Sequence, residues 1–325
     1  MAVADIIFRR TEVFISARPS PGGFTMHIFL TGASGWIGSA VIPELIENGH
    51  SVLGLARSDA AAQTVAASGA EVLRGDVQDL DVLRAGAEQA EGVIHLAFRH
   101  DVAFSGDFAT AVKSDEAAIN AYAEVLAGTD KPLAIASGLA GVNPGTVCTE
   151  DDRPEPFPGP GGRIGVERDA LGLAERGVRS MSVRFAPTVH GAGDNGFIAM
   201  IVAADRKHGR AGYAGDGENR WPAVHRSDAA RLVRLGIESA PAGSVLHAGA
   251  EEGVPMRAVA EAIGRVIDVP TASLDEAAAG EQFGFLAGFV GMDIPASSAQ
   301  TRELLGWTPT HPTLVEDIES GAYTS

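Results

Sequence analysis

Thr31-Gly32-Ala33-Ser34-Gly35-Trp36-Ile37-Gly38 lies between a short apolar run, Met26–Thr31, and a stretch with helical spacing from residue 36 onward. Three glycines at this spacing suit a dinucleotide. Gly32 permits a tight turn, Gly35 lets the backbone approach a pyrophosphate, and Gly38 lets the helix pack closely on the strand. The helix N-terminus then faces the phosphate charge. Gly32, Ser34, Gly35, Trp36, Ile37 and Gly38 are therefore candidate cofactor contacts. A glycine-rich turn alone is common, and it is the strand–loop–helix setting that gives this one its meaning.

The next informative position is the end of the second apolar run, where a carboxylate would bond the ribose hydroxyls of NAD and an arginine would accommodate the 2′-phosphate of NADP. The chain has Ala56-Arg57-Ser58 there, with Arg57 25 residues after Gly32. A guanidinium beside a hydroxyl favours NADP over NAD. Arg57 as a solvated strand end, with Asp59 serving the ribose, is the competing reading.

Other chemistries find less support. Cys148 is the only cysteine, which excludes an internal disulfide and a multi-cysteine zinc site, and packing is its natural role. The nine histidines form no HExxH, so no metal site is expected. Twenty-five basic against 42 acidic residues give a net charge of −17 with no basic block, which argues against nucleic acid and anionic membrane as partners. No run approaches the roughly 18 apolar residues that span a bilayer. A cytoplasmic location is the expectation.

These residues need elements to hold them. From Met26 the chain alternates strand and helix: strands over 26–31, 51–56, 71–74, 92–97, 132–136 and 179–184, and helices over 36–48, 59–68, 79–90, 108–127 and 164–176. That alternation predicts an α/β fold, a Rossmann-type doubly wound parallel sheet over 26–189. Residues 190–325 are more irregular, with helices near 227–238 and 255–267, and form a smaller substrate-binding region, some of whose segments return to the sheet. Residues 1–25, with Arg9, Arg10 and Arg18 before Pro19 and Pro21, read as an N-terminal extension with Met26 as the functional start. A transit peptide is the alternative.

Further motifs extend the picture. Gly75-Asp76-Val77 follows the third strand, His95-Leu96-Ala97 the fourth, and Arg184-Phe185-Ala186-Pro187-Thr188-Val189-His190-Gly191 the sixth. Ala223-Val224-His225-Arg226-Ser227-Asp228 and Leu305-Gly306-Trp307-Thr308-Pro309 come later. In this order, over about residues 26–320, they resemble the extended and atypical short-chain dehydrogenase/reductases, which include NAD-dependent epimerases and dehydratases. The resemblance implies that Asp76 and Val77 contact the adenine, that Leu96 and Ala97 line the dinucleotide, and that Pro187 and Thr188 sit near the nicotinamide. It also implies a homodimer through the helices near 108–127 and 164–176.

The family's YxxxK pair is missing. Positions four before Lys113, Lys131 and Lys207, the only lysines, are all alanine. By position Arg163 replaces the tyrosine and Glu167 the lysine, as in atypical members that keep the glycine loop and lose the active-site pair. Arg163 stays protonated and suits an anionic substrate or an oxyanion rather than proton donation; a helix-surface pair with Glu167 is the plainer reading. Ser137, the only hydroxyl at the end of the fifth strand, is the candidate for polarising a carbonyl, or a turn residue. His100, beside Asp101, and His190 are candidate proton donors; an adjacent carboxylate would raise the pKa of His100. His225 suits a helix start better than chemistry.

Three functions follow. The first is an NADP-dependent oxidoreductase of the atypical type, passing hydride to a small or medium, largely apolar carbonyl compound. The second is a non-catalytic NADP-binding sensor, and the third an epimerase or dehydratase. Phe283, Phe285 and Phe289 are expected either to cap an apolar pocket or to pack in the core.

Overall fold

The computed structural model describes residues 25–140, 142 and 144–323. All but the last residue of the expected N-terminal extension lies outside them. The first half runs β1 (His27–Thr31), α1 (Gly38–Glu47), β2 (Ser51–Ala56), α2 (Asp59–Ala67), β3 (Glu71–Arg74), α3 (Leu80–Gln89), β4 (Gly92–His95), α4 (His100–Phe104), α5 (Phe108–Leu126), β5 (Pro132–Gly138), α6 (Gly162–Gly172) and β6 (Arg179–Phe185). The second half runs β7 (Thr188–His190), α7 (Phe197–His208), β8 (Ala211–Ala214), β9 (Arg220–His225), α8 (Arg226–Ser239), β10 (Ser244–Ala248), β11 (Glu251–Pro255), α9 (Met256–Ile267), β12 (Thr271–Leu274) and α10 (Glu276–Phe283). Three short helices, α11 (Ala287–Val290), α12 (Ala299–Leu305) and α13 (Leu314–Glu319), follow.

Seven strands form one sheet in the order β10-β6-β5-β4-β1-β2-β3, and each pairing is parallel. This is the Rossmann arrangement, with the strand order reversing between β1 and β4. Ligands bind in such sheets beyond the carboxyl ends of the strands at that reversal.

Local sequence explains the elements. β1 has its last four residues buried, as a strand covered on both faces requires. α1 buries Gly38, Val41, Ile42 and Leu45, one face at helical spacing. Ser58, Asp79 and Asp107 cap α2, α3 and α5 by accepting from Ala61, Val82 and Thr110 N–H. Several expected boundaries move; α1 starts at Gly38, β5 runs on to Gly138 and α6 starts at Gly162. β4 stops at His95 because Leu96 leaves the ladder, and the α6 segment tightens after Gly172 into a 3₁₀ turn ending at Gly177, whose φ is 70°.

The C-terminal half builds a three-stranded sheet, β11-β9-β7, and a β8–β12 pair, with their own core around Trp221, Ile201 and Ile263. β10 returns to the edge of the main sheet beside β6, and Leu232, Val233 and Ile237 of α8 join the core on one face of it. Among the described residues no helix is long and apolar enough to cross a membrane.

Candidate active site

A cavity of about 960 Å³ opens at the strand-order reversal. One end is walled by Gly32, Ser34, Gly35, Trp36, Ile37 and Gly38. The glycines are demanded by space. A Cβ on Gly32 would lie 2.8 Å from Ala97 N, and one on Gly38 only 2.1 Å from Gly32 O. Gly32 also has φ of 70°, which other residues adopt at a cost. α1 starts at the cavity wall with no side-chain cap on its first turn, leaving backbone N–H groups for a phosphate. Trp36 fixes the loop, donating from Nε1 to Val189 O at 2.7 Å.

Toward the far rim stand Arg57, Ser58, Asp76 and Val77, with Leu96 and Ala97 between them and the centre. Arg57 is 65% exposed, and its nearest carboxylate, Asp101, is 3.9 Å away. Asp59, the competitor for a ribose, is turned outward, 93% exposed and bound to Arg74 at 2.8 Å. It does not line the cavity.

At the opposite end the floor is built by β5 and α6. Ser137 is buried at the end of β5 and donates to Glu167 at 3.4 Å, a long bond. Arg163 donates to Ala136 O at 2.7 Å, lies 4.2 Å over the Phe98 ring, and has Asp115 at 3.8 Å. Its Nε is buried with no hydrogen-bond partner. Burial lowers the pKa of Arg163, against the pull of Asp115 and Glu167. Asp115 in turn holds His95 at 3.0 Å, and His95 meets Thr31 and Tyr122.

Arg163 and Glu167 are no surface pair. Glu167 is buried and bonded to the buried Arg184 at 2.8 Å, and Arg184 reaches Asp152 O and His247. Arg163 reaches the cavity instead. None of the three tyrosines lines it, so no phenol stands in for the missing one.

His100 lines the cavity from α4, its ring packed 5.0 Å from Phe98 and 5.4 Å from Phe104 with one side in solvent. Contrary to expectation its pKa is lowered: desolvation and then Arg163 outweigh the pull of Asp101. Asp101 is shared with Arg57 and Arg99.

Two expectations fail on geometry. His190 is fully buried outside the cavity, its Nδ1 2.6 Å from Asp317, so it is not the proton donor. Alternation along β7 turns its side chain away from the wall that Val189 forms. Thr188, also buried, spends its hydroxyl on Pro222 O at 2.6 Å, while Pro187 does line the cavity. His225 caps α8, and Cys148 is packed, its thiol pushed up to about 12 by burial. Of the phenylalanine stripe, Phe283 is core, Phe289 lines the cavity, and Phe285 is exposed beside Phe104.

Sequence reading missed Asp194, Phe98, Phe104 and Phe197 on the cavity wall. Asp194 accepts from Tyr323 at 2.9 Å and from Gly196 N–H at 2.6 Å, and burial raises its pKa. Asp194-Asn195-Gly196, a turn sequence directly before α7, was the available signal.

A family model described as "NAD dependent epimerase/dehydratase family" matches residues 28–127. An uncharacterized protein of Schizosaccharomyces pombe is 43% identical over 302 residues, covering 92% of this chain and 100% of its own. A second, from Saccharomyces cerevisiae, is 41% identical over 308 residues, covering 91% and 98%. The chain belongs to the NAD dependent epimerase/dehydratase family. The UDP-glucose 4-epimerase of Thermotoga maritima, solved with UDP-glucose, shares the fold with a TM-score of 0.72 at 21% identity, over 92% of this chain and 98% of that one. The family's cofactor is a nicotinamide dinucleotide, and the close glycine loop and uncapped start of α1 fit one.

Proposed function

We propose that this family member is an NADP-dependent oxidoreductase that reduces a small or medium, largely apolar carbonyl compound. The observation that carries the reading is one continuous cavity, with the Arg57 and Ser58 end joined to the Ser137 and Arg163 end. Arg57 and Ser58 flank the place of a 2′-phosphate, and Asp59, the neighbouring carboxylate in sequence, is committed to Arg74.

When bound, the nicotinamide supplies the hydride. The chain's own residues handle the oxygen. Ser137 donates to the carbonyl oxygen, and Arg163 places a positive charge beside it, stabilising negative charge as it develops. His100 delivers the proton that balances the hydride, so carbon and oxygen each gain one hydrogen. With substrate laid against them, Phe98, Phe104 and Phe197 would keep water from the reacting face, which would strengthen both electrostatic contacts.

A second reading, the NADP-binding sensor, is favoured by the fate of Glu167. It stands at the family's lysine position but is consumed by Arg184. NADPH oxidation against ketones, aldehydes, quinones and enones separates the two readings, with cofactor affinity titrated in the same samples. Turnover is expected, and Arg163→Leu should lower kcat by about 100-fold with NADPH affinity kept. Tight NADPH binding with no turnover on any class would replace the enzyme with the sensor.

A further inference from the structure

Among the described residues five large hydrophobic side chains are well exposed, and two of them, Phe104 and Phe285, lie against each other. Phe104 and Phe157, 44% and 45% exposed, line the cavity, and Phe285, 53% exposed, lies 5.5 Å from Phe104. Apolar rings grouped against water usually mark a surface that a ligand covers.

Phe104 belongs to a longer series. Phe108 is 6.4 Å from Phe98, Phe98 5.0 Å from His100, and His100 5.4 Å from Phe104. Phe104 then meets Phe197 at 6.5 Å, and Phe197 meets Phe289 at 5.5 Å. The first four come from residues 98–108, from the end of β4 to the start of α5, and the last two from α7 and α11. The series therefore joins the two halves of the chain across the cavity, and all six of its members line it.

Charge narrows the ligand further. From Ala186 onward the only charged side chain on the cavity wall is Asp194, and no lysine or arginine accompanies it. A nucleotide sugar bound there would set its diphosphate against a carboxylate and phenyl rings. The arginines on the wall belong to the other half of the chain: Arg99 has Asp101 at 3.8 Å, Arg163 lies over the Phe98 ring, and Arg57 faces the cofactor end.

We propose that this site takes an uncharged carbonyl compound bearing a flat aromatic or conjugated ring, and not a nucleotide sugar. The carbonyl rests on the oxidoreductase reading; the ring preference rests on the wall. A flat ring offers faces and edges to Phe98, Phe104 and Phe197, contacts that a saturated ring of the same size makes less well.

Titration calorimetry on the full chain, saturated with whichever of NADP⁺ and NAD⁺ it binds more tightly, tests this without turnover. Acetophenone should bind about tenfold more tightly than cyclohexyl methyl ketone, and UDP-glucose should not bind. Phe104→Leu, at an exposed position where folding is not at stake, should narrow the preference to about threefold. Equal affinities for the two ketones, no binding of acetophenone, tighter binding of UDP-glucose, or a preference unmoved in Phe104→Leu would each overturn the proposal. Ring-selective binding without turnover of any carbonyl would remove the oxidoreductase reading and leave this one standing. Turnover without ring preference would do the reverse.

Discussion

The two ends of the cavity are made of different material. The dinucleotide end is built from contiguous runs, 32–38 and 56–58, each shaped by its own strand–turn–helix, with Trp36 adding a distant anchor at Val189. The reacting end draws Ser137 from β5, Arg163 from α6, His100 from α4 and rings from both halves of the chain, Phe98 and Phe108 from the first and Phe197 and Phe289 from the second. A site of the first kind is specified locally and tolerates little change in shape. One of the second kind depends on packing among distant elements, and can exchange its chemistry while the fold persists. The loss of the tyrosine–lysine pair beside an intact glycine loop is that freedom in use.

The largest expected effect lies beneath the reacting end. Glu167 and Arg184 form an ion pair with side chains only 3% and 1% exposed. Glu167→Ala would leave a buried guanidinium without its carboxylate, a loss of about 3–5 kcal/mol. Chemical denaturation measures it. A loss below about 1 kcal/mol, the scale of a surface pair, would mean that water reaches Arg184 and that this floor is softer than its burial indicates.

The same contrast decides what was legible beforehand. Gly32, Gly35 and Gly38 declare themselves because turn, close approach and helix packing are all set within seven residues. The strands of the sheet announce themselves as apolar runs in alternation with helices. Arg163 was legible as a replacement, but its partner was not: spacing of four suggested Glu167, while the fold gave Glu167 to Arg184 on β6 and Arg163 to Asp115 on α5. His190 misled for a related reason. The motif located it at β7, yet the side of the strand it faces is fixed by β9 and α13, far along the chain. Phe98, Phe104 and Phe197 carry no local signature, since a phenylalanine on a wall and one in a core look alike in sequence.

The next effect is catalytic. His100→Gln should lower turnover by about 100-fold, the lower range for a general acid. The lowered pKa gives the sign of the pH dependence. His100 titrates below 6.5 in the fold, so at neutral pH it is mostly unprotonated. Reduction should therefore accelerate as the pH falls from 8 toward that pKa, and His100→Gln should flatten the profile. By the same shift the unfolded chain takes up the proton more readily, so the fold loses stability below pH 6.5, and the variant should lose less. A pH slope that survives in His100→Gln would assign the proton to another donor.

At the dinucleotide end the expected changes are smaller and more selective. Arg57→Ala removes a charged donor whose exposed guanidinium can turn to a phosphate, so NADPH affinity should fall about tenfold, close to the lower end of what hydrogen bonds to charged groups contribute. NADH affinity should stay within about twofold, because its ribose carries no phosphate for Arg57 to meet. Equal losses for both cofactors would place Arg57 on the shared part of the dinucleotide.

Asp59→Asn should do least, and its small effect carries the most information about cofactor choice. Asp59 is two residues from Arg57, and by sequence either one could read the ribose. The structure turns Asp59 away to an exposed pair with Arg74, worth little to stability. The ratio of NADPH to NADH affinity, measured by fluorescence titration, should therefore stay within about twofold of wild type. A variant that shifts strongly toward NADPH would mean that Asp59 leaves Arg74 to meet the ribose when the cofactor arrives. The dinucleotide end would then rearrange on binding, and the contrast between a locally fixed site and an assembled one would no longer hold.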